Sequence, residues 1–213
     1  MLARLALAAL LVAPTASAQL SVTLTTPLGG AQPVTEALFV EPHPGGGAVA
    51  CFRTGASDAD DADLVVVRVD RAGAELWRNS VPTSSRRGSV DSLTITPAGR
   101  IVLNTQDDNV VDGHIGELVC FEPHGTTAWT AWPAPVSGTP FRGRVAGLSP
   151  SGDVFLIGSN AGQGVVSALL YDSNTGAELW RTDLPGYSPG PNLSFLKART
   201  NDGRMFAAFW IGV

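Results

Sequence analysis

Along this chain the apolar residues come in short runs, and none holds a 3.6-residue period for as long as ten residues. "VVVRV", "LTIT", "ELVCF", "VFLIG" and "ALLY" are separated by clusters of glycine, proline, aspartate and asparagine. That pattern predicts short β-strands joined by tight turns. Glycine supplies positive φ in such turns, and aspartate or asparagine bonds its own backbone two residues on. The one long apolar run, Leu5–Ala13, is different: it follows Arg4 and precedes the small-residue triplet Ala16–Ala18. This is the form of an export signal cleaved before Gln19, and the run is shorter than the roughly 20 residues that cross a bilayer. Residues 1–18 are therefore expected to be a signal peptide, and 19–213 the folded domain, with no transmembrane segment.

The strand runs repeat. Aligned on tryptophan, the segments beginning at Val65, Gly116 and Ser167 each lead from an apolar run to an acidic residue, a glycine and a tryptophan. The equivalent positions are Asp70, Glu122 and Asp172; Gly73, Gly125 and Gly176; Trp77, Trp129 and Trp180. A second motif lies between these, with "LTITPAGRIVLNT" matching "AGLSPSGDVFLIGS" and looser copies at Leu38 and Leu196. Each unit reads as four strands, A to D, with the second motif as the A–B turn and the acidic-x-x-Gly motif as the C–D turn, capped by its acidic residue; Trp77, Trp129 and Trp180 are expected to pack between neighbouring units. Four short strands in a period of about 51 residues are the mark of a β-propeller blade. The units span roughly 35–82, 90–134 and 143–185, with a partial fourth at 193–213. The expected fold is an all-β propeller of three full blades and an incomplete fourth.

The stretch "YDSNTGAELW", with its weaker copies at Val69–Trp77 and Phe121–Trp129, resembles the repeat of the PQQ-like (pyrroloquinoline-quinone-type) β-propeller family. Similar repeats occur in quinoprotein dehydrogenases and in a periplasmic propeller that assists outer-membrane protein assembly. The resemblance implies a fold rather than an activity. The family's dehydrogenases have eight blades and a disulfide between adjacent cysteines near the quinone. This chain has no Cys-Cys pair, and no cofactor-stacking residue can be matched, so PQQ is not expected.

The N-terminal "LSVTLTTPLGG" resembles a D strand, and the fourth unit has A and B strands without a C–D motif. Two readings are open: a small imperfect ring, or the front part of a longer propeller. In the second, catalytic residues of a hydrolase, lyase or quinoprotein-type oxidoreductase would lie beyond Val213.

Charge narrows the function. With 14 basic and 19 acidic residues the net charge is −5, against non-specific nucleic-acid binding. The B–C loops are acidic: Asp58, Asp60, Asp61 and Asp63 in the first unit, and Asp107, Asp108 and Asp112 with His114 in the second. The first group is a candidate Ca²⁺ site, although its spacing is not that of an EF-hand. The D–A connections carry Arg86, Arg87 and Asp91, then Arg142 and Arg144. All these loops fall on one face of a propeller, and the arginines are candidates for gripping an anionic ligand. His43 and His124 fall on the opposite face without metal-ligand spacing. Cys51 and Cys120 sit inside apolar runs, and the plain expectation is two buried, reduced thiols. No hydrolase elbow or nucleotide loop is present. The leading expectation is an exported, non-enzymatic binding or scaffold module, periplasmic or extracellular, with an unknown protein or carbohydrate partner.

Overall fold

The computed structural model of the protein describes residues 34–54, 63–81, 89–111, 114–134, 141–160, 165–184, 193–199 and 205–211. Sheet 1 is β1 (Val34–Pro42), β2 (Ala48–Thr54), β3 (Asp63–Val69) and β4 (Glu75–Ser80). Sheet 2 is β5 (Ser89–Ile95), β6 (Ile101–Val111), β7 (His114–Phe121) and β8 (Thr127–Ala131). Sheet 3 is β9 (Phe141–Leu148), β10 (Val154–Asn160), β11 (Val166–Tyr171) and β12 (Glu178–Leu184). A two-stranded pair comes next, β13 (Leu193–Arg199) and β14 (Met205–Ile211). In each sheet every strand pairs antiparallel with the next in sequence. The first strands of successive sheets touch in turn, β1 with β5 and β5 with β9.

One turn design recurs at one end of all three sheets. In Asp70–Ala74, Gly73 N–H donates to the Asp70 carbonyl (3.1 Å) and Asp70 N–H to the Ala74 carbonyl (2.9 Å). The same pair of bonds closes His43–Gly47, Thr96–Arg100, Glu122–Thr126 and Ser149–Asp153. The fourth residue is always glycine, at φ between 84° and 101°, which a side chain rarely tolerates. The first residue usually caps the turn. Asp70 Oδ1 accepts from the Ala72 and Ala74 amides, Thr96 Oγ1 from Arg100, and Ser149 Oγ from Asp153. The Asp172 turn is one residue longer, and the amides of Asn174 and Thr175 hold its carboxyl below the usual carboxylate range. Glu122 departs from the expected capping role. Its longer side chain reaches out to Arg100 at 2.9 Å instead.

Both faces of sheet 2 are buried, which explains its unbroken apolar runs. Ile101, Leu103, Val119 and Phe121 face sheet 1, packing with Val49, Cys51, Leu64 and Val66. The alternate residues Val102, Leu118 and Cys120 face sheet 3, packing with Ala146, Leu148, Leu156 and Leu169. Cys51 and Cys120 therefore belong to different cores, and both are free thiols. Burial pushes each thiol up to about 12.

The tryptophans bridge the sheets. Trp77 of β4 lies over the Glu122–Gly125 turn of sheet 2, its Nε1 donating to the Pro123 carbonyl (2.9 Å) and its ring 6.1 Å from Phe121. Trp129 of β8 repeats this on sheet 3, donating to the Ser173 carbonyl (3.2 Å). Trp129 is only 8% exposed. Trp180 of β12 differs from the other two. Against the expected packing between neighbouring units it is 41% exposed, because among the described residues no further C–D turn faces it.

Several expected loop positions fall in strands instead. Arg142 and Arg144 lie in β9, and Asp63 opens β3 opposite Thr54. The acidic stretch at Asp107 and Asp108 extends β6, and Val111 pairs with His114. The β-branched pair Val110–Val111 favours that extension over a loop. The remaining members of these groups, Asp58, Asp60, Asp61, Asp112, Arg86 and Arg87, lie outside the described residues.

Trp129→Ala should cost roughly 3–5 kcal/mol in urea unfolding, and Trp180→Ala well under about 1 kcal/mol, because only the first ring fills a core. Neither thiol should react with a soluble disulfide reagent at neutral pH until the chain unfolds, since burial suppresses the thiolate.

Candidate functional site

At the end of the sheets opposite the glycine turns, β5, β6 and β9 bring a polar group together. Asp91 stands near the start of β5, Gln106 on β6, and Arg142 near the start of β9. Gln106 Nε2 donates to Asp91 Oδ2 and, at 3.4 Å, to the Gly143 carbonyl. Gln106 is 5% exposed, and Asn104, two residues earlier on the same face, is 1% exposed. Among the described residues both polar atoms of the Asn104 amide, and Arg142 Nε, are buried without a hydrogen-bond partner. Glycine at 143 makes room for this group: a methyl there would sit 2.8 Å from Asn104 Oδ1 and 2.9 Å from Leu156. Buried polar groups are ordinarily satisfied, so the two orphaned atoms of the Asn104 amide, beside the Gln106–Asp91 bond, mark a site with unused bonding capacity.

Of the residues singled out by sequence, the structure places Asp91 in this group, bonded to Gln106, and Arg142 on the adjoining strand β9, next to Gly143. Arg144 is on the same strand, β9, and its side chain is not described. Asn104 and Gln106 were missed. Both sit in what reads as a plain strand, "IVLNTQ", and the only sequence signal is polarity at inward positions.

The glycine-turn end carries a different network. His43 heads the first turn and is 8% exposed. Its Nε2 lies 2.9 Å from the Gly99 carbonyl, so Nε2 carries the proton. Nδ1 is then the acceptor, taking bonds from Gly45 N–H (3.0 Å) and Arg68 Nη2 (2.8 Å). One imidazole thereby stitches sheet 1 to sheet 2. Arg100 does the same between sheets 2 and 3. It pairs with Glu122 and donates to the Ser173 carbonyl (3.3 Å) and Asn174 Oδ1 (2.5 Å). His124 lies on an exposed turn, bonded to Thr126 (2.9 Å). Among the described residues no group of three or more His, Cys, Asp or Glu could hold a metal ion. Among them, too, no helix is long and apolar enough to cross a membrane.

No family model matches the chain, and no curated protein does. Solved structures similar to it include the β-propeller domain of the trilobed protease from Pyrococcus furiosus, at TM-score 0.45 and 8% identity. That alignment covers 83% of this chain and 55% of the other. A structure of the eukaryotic initiation factor aligns at TM-score 0.29 and 12% identity, over 83% of this chain and 52% of that one. The chain spans about half the length of each of these structures. The all-β architecture of repeated four-stranded sheets rests on the strand order, register and turns of the chain itself.

His43 makes stability pH-dependent. Burial, above all, holds its pKa below the ordinary 6.5; the Gly99 bond opposes this, and the Arg68 charge adds to it. The unfolded chain takes up the proton near 6.5 and the folded chain only at lower pH. The stabilisation is complete above 6.5 and is lost as the pH falls below it. Urea midpoints should therefore drop between about pH 7.5 and 5.5, and a His43→Gln variant should lose that part of the slope.

Proposed function

We propose that this chain is an exported β-propeller domain of PQQ-like repeat type that acts as a non-enzymatic binding or scaffold module. It comprises three full blades and an incomplete fourth. The propeller reading is supported by the three four-stranded meanders, the contact of their first strands, and the tryptophan bridges from each of the first two sheets to the next. The location, periplasmic or extracellular, rests on the signal-like first eighteen residues.

The single observation that carries the binding role is the buried polar group of Asp91, Asn104 and Gln106 around Gly143, with Arg142 on the adjoining strand. In a propeller this is the loop-bearing mouth of the ring, where the first strands converge. A buried amide with unused bonding capacity and an arginine on the strand beside it suit a partner rich in carboxylates and hydroxyls. An acidic carbohydrate fits that description, and so does an acidic protein segment. Reaction chemistry has less support: Thr126 Oγ1 lies 2.9 Å from His124 Nε2, but on an exposed turn at the opposite end of the sheets. Neither PQQ nor a resident metal enters the proposal.

The test is a thermal-shift and calorimetric screen of the chain against uronic-acid oligosaccharides and acidic peptides. Binding should appear in one of these sets. Arg142→Ala should weaken it about 10- to 100-fold, the loss of a hydrogen bond to a charged group. Binding indifferent to Arg142 and Gln106, or turnover of the bound compound, would refute the proposal.

A further inference from the structure

Two of the three acidic C–D turns are covered by a tryptophan, and one is not. A methyl group built on Gly125 would lie 2.9 Å from Trp77 Cδ2, and one on Gly176 would lie 2.6 Å from Trp129 Cε3. At Gly73 such a methyl would meet nothing within 4 Å. Conversely, Trp77 and Trp129 each donate an indole N–H to the second residue of the turn they cover. Trp180 is 41% exposed and packs on Phe155 of its own sheet, with ring centroids 6.0 Å apart. Among the described residues no acceptor faces its indole nitrogen. Among the described residues there is thus one bridging tryptophan without a turn and one turn without a tryptophan, at opposite ends of the row of four-stranded sheets.

The charges around these two sites are matched. At the junction of sheets 2 and 3, the last residue of the A–B turn, Arg100, reaches the second and third residues of the neighbouring turn, Ser173 and Asn174. In sheet 3 the equivalent of Arg100 is Asp153, half-buried beside the Asp172 turn of its own sheet. In the uncovered turn the equivalent of Ser173 is Arg71, which is exposed. The basic-to-polar contact of the internal junction becomes acidic-to-basic here.

We propose that Trp180 of one copy of this chain seats on the Asp70–Ala74 turn of a second copy. Its indole N–H donates to the Arg71 carbonyl, and Asp153 pairs with the Arg71 guanidinium. Only the tip of the β3–β4 hairpin takes part. Strands β13 and β14 contact β9, the edge of sheet 3 farthest from β12. The contact is head-to-tail, so each copy keeps a free tryptophan at one end and a free turn at the other.

Sedimentation velocity on the full chain at increasing concentration tests this. Growth beyond a dimer is expected. Trp180→Ser should abolish it without lowering the melting temperature, since the ring fills no core. Arg71→Asp and Asp153→Arg should each weaken association about tenfold or more, and the double exchange should restore it. Trp180→Ser mixed with Arg71→Asp should stop at a one-to-one dimer, because each supplies the half the other lacks. A wild-type chain that stays monomeric overturns the proposal, and so does association that Trp180→Ser leaves unchanged, or charge exchange that fails to rescue.

Discussion

A tryptophan lying over a glycine turn is the contact on which this molecule depends. The turn needs a residue at positive φ, and glycine takes it without strain. The same absence of Cβ lets an indole approach the backbone closely enough to bond a carbonyl two or three residues earlier. One residue type thus serves both the hairpin inside a sheet and the junction between sheets. Replacing either partner harms two levels of structure together. The turns can vary around that point, as the extra residue after Asp172 and the outward-reaching Glu122 show, provided the glycine and the tryptophan stay in register.

The interior between the bridges is laid out by alternation. In β6 and β7 successive residues enter opposite cores, so sheet 2 belongs equally to both neighbours. Polar stitches add to this at the rim. His43 and Arg100 stand at the same end of their sheets and do related work with different chemistry, one as a neutral ring accepting from an arginine, the other as a charge shared between a carboxylate and a neighbouring turn. Neither has the surroundings of a catalytic group, and both are explained by holding sheets in place.

Much of the fold was legible in the sequence because its signals are local. Asp70, Gly73 and Trp77 lie within eight residues, and their copies at Glu122 and Asp172 announce themselves by spacing. The ends of strands were less legible. Arg142 and Arg144 read as loop, since a strand's first residues carry no pattern until the partner strand is known. The site was the least legible part. Asn104 and Gln106 become distinctive only when Gly143, on another sheet, closes over them, and nothing local to "IVLNTQ" encodes that closure. His43 was visible as a residue but not as a bridge, because its bond to Gly99 spans 56 positions.

The separation of Cys51 and Cys120 into two cores has a consequence for where the protein can work. The only sulfur atoms able to cross-link are walled off from each other by sheet 2 and kept protonated by burial. Assembly of the native state requires neither an oxidant nor a thiol-exchange catalyst, and a reducing milieu takes nothing from it. The fold is indifferent to the redox poise on either side of a membrane.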